Sequence, residues 1–584
     1  MSAEPHLTSP LTGEKSRLKV VLCWHMHQPQ YQDQLSGQYQ LPWSYLHATK
    51  DYVDMAYHLE AIPGARAVVN FAPILLEQIS DYTAQIEAYL SRNEALRDPL
   101  LAALVSSDGL TDPHQRAALI KACLRVNKER FIVRFPPYQR LANIADTLAE
   151  NPETLIYLSQ QYLADIVTWY HLAWTGESVQ REDPRIAWLI QKGARYTLQD
   201  RHKLLAVIGE LLGGVIGRYR RLAETGRIEI SMTPYAHPIL PLLIDLGSAL
   251  EAMPSRTPMP QHTSYPGGSE RARWHIREGR AVFQQHFGFD AQGCWPAEGG
   301  VSTAALKMLA DEGYLWAASG ETVLGNSLAG TQEIEEQNGK QWLYRPYLAP
   351  GTLLSCFFRD DGLSDLIGFT YATWHSDDAV NNLIHHLVNI ADACKDQPDS
   401  VVSIIMDGEN AWEYYPENGY YFLSALYKKL AEHPQLDLTT FSSYLEQRRP
   451  AATPPRLTKL VAGSWVYGSF STWIGSADKN RGWEMLGAAK RVFDRIVAEG
   501  RMSGEQMAAA ERQLALCEGS DWFWWFGDYN PAATVNDFER LFRLHLTNLY
   551  HMLGVTAPLE LTAAVSHGTG EPVAGGVMRK GQQQ

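Results

Sequence analysis

Seven short runs of β-branched and apolar residues recur along the chain at wide intervals. Between most of them, apolar residues repeat at three- and four-residue spacing, as in residues 269–288 and 377–394, which indicates amphipathic helices. Strands that alternate with helices favour a parallel sheet. No Gly-x-Gly-x-x-Gly follows the first run, so the pattern predicts a barrel-like closure rather than a doubly wound sheet. The runs are LKVVLCW (18–24), ARAVVNF (65–71), RIEISM (227–232), AQGCW (291–295), YLWAAS (314–319), TLLSCFF (352–358) and VVSIIM (401–406).

The spacing of these runs also predicts the domain organisation. Residues 17–450 form the predicted barrel domain, interrupted by a helical insertion at about 85–225, where no convincing strand pattern occurs. After the proline-containing AATPPRL, the clearest patterns are helical, which predicts a C-terminal helical domain over 451–565 that completes the cleft. Residues 1–16 and 566–584 are rich in Gly, Pro or Gln and are predicted to be disordered tails.

Composition and charge narrow the class of protein. The 584 residues carry 51 basic and 65 acidic side chains, a net charge of 51 − 65 = −14, and no basic run, which argues against nucleic acid and anionic lipid as partners. The first apolar run is too short for a signal peptide or a membrane span, so we expect a cytoplasmic protein. The six scattered cysteines include no CxxC pair, which fits reduced thiols. No oligomeric state can be predicted.

Two histidines stand where the first predicted strand ends, in Trp24-His25-Met26-His27-Gln28-Pro29. The C-terminal ends of parallel barrel strands are where active sites are built. The two imidazoles lie on one face of the strand. They could bind a metal with a further ligand, hydrogen-bond a polar substrate, or be satisfied structural histidines. The sequence leaves these three interpretations open.

The third and fourth strands carry acids at unusual positions. Glu229 lies in mid-strand between two isoleucines, where a carboxylate is costly unless paired, so it indicates an interior polar site or a surface edge. This strand continues to His237. Glu298 lies between a Trp-Pro-Ala turn and two glycines, on backbone that can approach a ligand closely. The alternative is that Glu298 only stabilises the N-terminus of the following helix through its dipole.

The last strand runs into an acidic and aromatic segment, Asp407-Gly408-Glu409-Asn410-Ala411-Trp412-Glu413-Tyr414-Tyr415. At least one of these carboxyls is expected where burial or a neighbouring acid raises its pKa. Calcium is an alternative ligand, although the spacing is not that of an EF-hand. Glu298 and Asp407 would share one barrel mouth. Glycosidic cleavage needs such a pair of carboxyls, and a separation of about 5–5.5 Å would give a covalent intermediate and retained stereochemistry.

Five ordered stretches, spanning about residues 18–450, resemble the motifs of glycoside hydrolase family 57, especially its amylopullulanase-like and α-amylase-like members. The helical region with Gly463-Ser464-Trp465 and residues 521–525 is also similar. The chain departs at Arg227, where many members carry another residue, and the family's branching enzymes differ around the third and fourth motifs. The stretches are His25-Met26-His27-Gln28-Pro29, Gly226-Arg227-Ile228-Glu229, Trp295-Pro296-Ala297-Glu298, Asp407-Gly408-Glu409-Asn410-Ala411-Trp412 and, more weakly, residues 440–446.

The resemblance implies an α/β fold, a distorted seven-stranded (β/α)7 barrel with a large helical insertion and a C-terminal helical domain, which acts on α-glucans with retention and without a metal or other cofactor. It implies Glu298 as nucleophile and Asp407 as general acid/base. The implied substrate-binding residues fall into four groups. The donor-sugar subsite has His25, His27, Glu229, His237 and Trp295, and the rings that stack on sugars are Trp412 and Tyr414. The residues that close the cleft are Trp465, Trp522 and Asp528, and those that brace the site are Arg359 and Asp365.

The leading hypothesis is an α-amylase or amylopullulanase type of enzyme that cleaves α-1,4 and also α-1,6 bonds of glycogen, starch or maltodextrin. A 4-α-glucanotransferase would use the same glycosyl-enzyme, because only the acceptor differs. A metal-dependent carbohydrate deacetylase or mannosidase-like barrel with His25 and His27 as ligands is the alternative from another reaction class. A glucan-binding protein without activity is the third hypothesis.

Overall fold

Seven parallel strands close into a barrel in the computed structural model, which describes residues 17–107, 110–148, 152–331, 340–397, 399–448 and 453–570. Going round the barrel, the order is β1, β2, β3, β4, β5, β7, β8 and back to β1. A short β6 pairs antiparallel with β7, and β9 pairs with the first residues of β1. The strands are β1 Leu18–Met26, β2 Ala67–Phe71, β3 Ile228–Met232, β4 Gly293–Cys294, β5 Trp316–Gly320, β6 Tyr347–Leu348, β7 Ser355–Arg359, β8 Val401–Asp407 and β9 Leu436–Leu438.

Each of the seven predicted runs coincides with one barrel strand to within two residues at its C-terminal end or encloses it, which confirms the predicted fold class. The barrel strands differ in length. β1 is paired with β8 from Lys19 to His25, whereas β4 has only two residues because Pro296 follows, and proline cannot donate to a strand ladder. The strands are buried almost throughout, as expected for a parallel sheet covered by helices.

The interval between β2 and β3 is helical in the residues described. Several helices begin at a proline preceded by an aspartate whose carboxylate accepts backbone N–H groups, as Asp98, Asp112 and Asp183 do. Thr197 and Asp200 form a reciprocal capping box at the longest helix. The helices are Pro73–Arg92, Pro99–Val105, Pro113–Leu124, Pro136–Leu148, Gln160–Ala173, Glu177–Glu182, Pro184–Lys192 and Leu198–Glu224.

The remaining helices cover the barrel and form the C-terminal region. Those around the barrel are Trp43–His47, Val53–Ala61, Leu240–Ile244, Gly268–Phe287, Thr303–Asp311, Glu321–Leu328, Asp361–Asp365, Ser376–Ala393, Tyr420–Glu432 and Phe441–Gln447. Those of the C-terminal region are Ala477–Ala498, Gly504–Cys517, Ser520–Trp525 and Ala532–Met552. Segments of π-helix occur at Ala48–Tyr52, Lys128–Val133 and Leu366–Thr370. Short 3₁₀ turns occur at Pro152–Tyr157, Leu246–Glu251, Ala297–Gly299, Gln341–Leu343, Tyr371–Thr373, Trp412–Tyr414, Pro416–Gly419 and Leu559–Thr562.

A buried ionic cluster joins the C-terminal region to the barrel. Glu518 accepts hydrogen bonds from Arg271 Nη2 at 2.8 Å, from His275 Nε2 at 2.7 Å and from the Tyr265 hydroxyl at 2.6 Å. These partners lie in or just before the helix Gly268–Phe287, and Glu518 immediately precedes Ser520–Trp525. The cluster therefore fixes that short helix over the barrel mouth.

Only the first residues of the predicted C-terminal tail lie within the described part of the chain. Residues 1–16 and 571–584 lie outside the described residues. Ser566, inside the predicted C-terminal tail, is buried, accepts from Gly527 N and donates to Asp478. Residues 566–570 therefore pack on the helical region, because their polar groups find partners there. All six cysteines are buried free thiols, and among the described helices none has the length and apolar composition that a bilayer crossing needs.

Candidate active site

A cavity of about 70 Å³ opens at the C-terminal ends of the barrel strands, between the barrel and the C-terminal region. We call it the first cavity. Its walls combine carboxyls, imidazoles, amides and aromatic rings, a set that can bind a polar ligand with apolar faces. The lining residues are His25, His27, Gln28, Pro29, Tyr31, His237, Glu298, Asp407, Glu409, Asn410, Asp521, Trp524, Trp525 and Phe538.

Glu298 enters this cavity from strained backbone after β4. Its φ of 57° and ψ of 25° are left-handed, a conformation that costs free energy for a residue with a Cβ and is often kept at functional sites. Trp465 Nε1 donates to Glu298 Oε2 at 3.1 Å. Gly320, at the end of β5, permits this contact, because a Cβ there would lie 2.7 Å from Trp465 Cα. Ser302 caps the following helix, so Glu298 does not serve as its cap.

Asp407 reaches the same cavity from the end of β8. Asn410 Nδ2 donates to its Oδ2 at 2.8 Å. Burial raises the pKa of Asp407 to about 6, and burial with the negative charges of Asp407 and Asp521 raises the pKa of Glu298 well above its usual value. Burial and the neighbouring acids therefore favour the protonated form of these two carboxyls.

Three imidazoles stack along one wall of the cavity. The ring centroids of His27 and His237 are 3.7 Å apart, and His25 Nε2 lies 3.0 Å from His237 Nε2. His25 Nδ1 donates to Asn70 Oδ1 at 2.7 Å, and His237 Nδ1 pairs with Ser520 Oγ at 2.9 Å. Burial lowers the pKa of His25 to about 3 and that of His237 well below its usual value, so both rings are neutral.

Asp521 is one of the cavity-lining residues that the sequence did not predict as a site residue. His27 Nε2 donates to its carboxylate at 3.0 Å, and its charge helps to raise the pKa of both Glu298 and Asp407. It comes from the C-terminal helix Ser520–Trp525. The signal was present in the sequence as the one acid in the aromatic run Asp521-Trp522-Phe523-Trp524-Trp525. We chose Trp522 from that run instead.

The histidines are also the residues that could hold a metal. The ligand nitrogens of His25, His27 and His237 all lie within 4.8 Å of one another. Each ring has an outer partner, which is the usual arrangement of imidazole ligands. His27 Nδ1 is buried and has no hydrogen-bond partner among the described residues.

Glu229 and Trp295 do not line the first cavity. Glu229 accepts from Trp316 Nε1 at 2.7 Å and from Ser442 N at 2.9 Å. Ser442 follows β9, which pairs with the first residues of β1, so this carboxylate is held at the opposite end of the barrel interior. It is therefore neither a surface group nor a group at the mouth. Trp295 is buried and packs edge-on against Trp465 at 5.2 Å, behind Glu298.

Three other predicted contact residues lie away from the cavity. Trp412 is buried and donates to Gly408 O, and Trp522 is buried and donates to Leu516 O, so both rings serve the core. Asp528 is exposed. The rings of Trp412 and Trp522 therefore point into the core and not into the first cavity, and Asp528 does not line that cavity.

Arg359 and Asp365 form an ion pair beside the site. Arg359 Nη2 donates to Asp365 Oδ1 at 2.7 Å, and its guanidinium lies 4.9 Å from the centre of the Trp465 ring. The positive charge of Arg359 also opposes the upward shift of the Asp407 pKa. The pair does not line the first cavity, and it contacts Glu298 only through Trp465.

Tyr414 lines a second, larger cavity of about 400 Å³. We call it the second cavity. Asp407 and Asn410 line both cavities, so the two cavities are neighbours at these residues. The second cavity contains none of the histidines and does not contain Glu298.

A family model for glycosyl hydrolase family 57 matches residues 21–457. The chain belongs to this family. It is therefore an enzyme of a family of glycoside hydrolases and transglycosylases, and the resemblance stated from the sequence is confirmed. A comparison with curated proteins gives no match.

Several solved structures share the fold. The family 57 branching enzyme from Thermococcus kodakaraensis gives a TM-score of 0.56 at 14% identity and covers 92% of this chain and 90% of its own. The α-amylase from Thermotoga maritima gives 0.54 at 16%, with 93% and 95% covered. The 4-α-glucanotransferase from Thermococcus litoralis gives 0.50 at 15%, with 92% and 60% covered. At these identities the likeness shows the fold alone.

Proposed function

We propose that this enzyme cleaves α-1,4-glucosidic bonds of glycogen, starch or maltodextrin with retention of configuration, with α-1,6 bonds as further targets. The observation that carries the proposal is that Glu298 and Asp407, from different strands, line one small cavity. The α-glucan substrate is supported by the activities of the structurally similar enzymes, which are an α-amylase, branching enzymes and a glucanotransferase.

The roles of the two carboxyls follow from their positions. A general acid must reach the glycosidic oxygen, which lies between the sugar that is attacked and the sugar that leaves. Asp407 faces both cavities, whereas Glu298 faces only the first. Asp407 is therefore the acid/base and Glu298 the nucleophile. This assignment agrees with that implied by the family motifs.

The reaction proceeds in two displacements. A Glu298 oxygen attacks the anomeric carbon while Asp407 gives its proton to the departing glycosidic oxygen, and a glycosyl ester forms. Water or a sugar hydroxyl then attacks the same carbon, Asp407 takes the proton, and Glu298 leaves as a carboxylate. The Trp465 N–H stabilises that carboxylate. The carboxylate of Asp521, which His27 holds in place, offers acceptor oxygens to the hydroxyls of the bound glucose.

Maltoheptaose is the direct test. The purified enzyme should convert it to shorter glucans, or to shorter and longer glucans if transfer competes with hydrolysis, as seen by chromatography of the products. Glu298→Gln should lower kcat by at least about 10³-fold with the fold intact, because the amide cannot form the ester. A Glu298→Gln variant with near-normal turnover would rule out this mechanism.

The metal-dependent alternative is supported by the three convergent imidazoles. It differs from the first proposal in one measurement. Dialysis against a chelator should leave turnover of maltoheptaose unchanged if the carboxyl pair suffices. Loss of turnover that is restored by zinc would instead assign His25, His27 and His237 as ligands. We further propose a cytoplasmic location, which the six free thiols support.

A further inference from the structure

The second cavity shares Asp407 with the first but is not lined by the proposed nucleophile. Glu298 and the histidines line the first cavity, and none of them lines the second. A glucan whose anomeric carbon is placed over Glu298 has its glycosidic oxygen at Asp407. The second cavity is the neighbouring space, lined by that same Asp407, that can receive the sugars beyond this oxygen.

The lining of the second cavity fits a pyranose ring. The aromatic rings of Phe369 and Tyr414 lie with Met406 and two alanines, while Arg130 and Thr373 contribute polar groups. Sugars have apolar faces and hydroxyl edges, so they bind to aromatic rings with polar groups at the sides. The volume of about 400 Å³ lies within the range of small-molecule pockets. A cavity that admitted only the attacking water would not need aromatic rings in its lining.

The outer wall of this cavity is formed by the helical insertion. Residues 127, 129 and 130, from the insertion, face Gly368 and Phe369 across the cavity. Arg130 Nε donates to Tyr414 O at 2.9 Å, which ties the insertion to the segment that follows Asp407. Both facing segments are π-helical, a rare conformation that is frequent at functional sites. A segment about 280 residues away in sequence from Asp407 thus shapes the acceptor side of the site.

We propose that the second cavity binds the acceptor-side glucose units, with Phe369 and Tyr414 as stacking rings and Arg130 of the insertion as the residue that holds this wall in place. The inference rests on the proposed function. In the second displacement, a hydroxyl of the sugar bound here attacks the anomeric carbon, the Glu298 ester bond breaks, and Asp407 takes the hydroxyl proton. Occupancy of this cavity therefore decides between transfer to a sugar and hydrolysis.

The experiment uses α-maltosyl fluoride as donor, because fluoride leaves without occupying the second cavity. Fluoride release reports formation of the glycosyl-enzyme, and chromatography with added maltose reports the ratio of transfer to hydrolysis. Phe369→Ala and Tyr414→Ala should each lower that ratio about 3- to 10-fold, the loss expected for one stacking contact. Fluoride release without maltose is measured for each variant as well, so that the ratio is compared at a known rate of glycosyl-enzyme formation.

Two variants serve as controls. Phe369→Tyr keeps a ring and should keep the ratio. Trp374→Ala removes an exposed aromatic ring close by in sequence but outside the cavity and should also leave the ratio unchanged. An unchanged ratio in Phe369→Ala and Tyr414→Ala, or a wild type that never transfers to maltose, overturns the acceptor assignment. A wild type that releases no fluoride and leaves maltoheptaose intact overturns the proposed function itself.

Discussion

Two sets of buried acids behave in opposite ways in this protein. Glu518 lies between Arg271, His275 and Tyr265, and although burial opposes ionisation, the charge of Arg271 and its hydrogen bonds lower the pKa to about 2. Glu298 and Asp407 face other acids and have few donors, so their pKa values rise. Burial is common to both sets. The partners decide whether a buried acid holds the fold together as an anion or keeps a proton for chemistry.

The largest expected effect lies in the reactive pair. Asp407→Asn should lower kcat/KM on maltoheptaose by about 10²- to 10⁴-fold, because the amide cannot protonate the leaving oxygen. The loss on 4-nitrophenyl α-maltoside should be far smaller for the first displacement, since nitrophenolate leaves without a proton. Steady-state and burst kinetics on both substrates measure this. Equal losses in the first displacement on both substrates would contradict the acid/base assignment.

Replacement of Glu518, the structural acid, should lower stability more than activity. Glu518→Gln removes the buried counter-ion of Arg271, leaving only the partly exposed Glu511, and should lower the free energy of unfolding by about 3–5 kcal/mol. Denaturant unfolding measures the loss, and the activity per folded molecule should fall far less than in Asp407→Asn, because Glu298 and Asp407 are both unchanged. Glu499→Gln, an exposed acid paired with Arg501, is the matched control and should change the stability by about 0.5 kcal/mol or less. A Glu518→Gln variant as stable as the wild type would contradict the structural role of the Glu518 anion.

The contributions of Asp407 and Glu518 to the free energy of unfolding should change with pH in opposite directions. The folded pKa of Asp407 is raised from 3.8 to about 6, so its contribution to stability is present below pH 3.8 and lost as the pH rises through 6. Asp407→Asn should therefore be more stable than wild type at pH 7, by about 1–3 kcal/mol, with the difference vanishing near pH 4. The contribution of Glu518 is instead present above pH 4.5 and lost as the pH falls toward 2. Unfolding free energies across this range would test both signs.

The smallest expected effect concerns Asp521. Asp521→Asn keeps an oxygen for His27 but removes a negative charge that raises the pKa of Glu298 and Asp407. Both values should fall, and the limbs of the pH profile of kcat/KM should move to lower pH by up to about one unit. The exposed Asp528, changed to Asn, is the control and should leave the profile in place. A shift to higher pH would contradict the electrostatic account.

The sequence determined the strands and the position of the two proposed catalytic acids. Each predicted run overlaps a barrel strand, because buried parallel strands need apolar runs whatever they pack against. Asp407 ends the last barrel strand and Glu298 follows β4, so their place at one mouth follows from strand direction alone. Glu229 shows what the sequence could not determine. The alternation of side chains along β3 places Glu229 inside the barrel, but it does not determine at which end of the barrel the hydrogen-bond partners of Glu229 lie.

Only the tertiary structure decided which residues of the C-terminal region reach the site. Asp521 and Trp522 are neighbours on one short helix, and each residue turns by about 100° from the last, so the acid faces the cavity while the ring enters the core. The rotation of that helix is set by Glu518 and its partners in a helix more than 200 residues earlier. Contacts over such distances leave no periodic trace in the sequence, because the two segments are brought together only by packing.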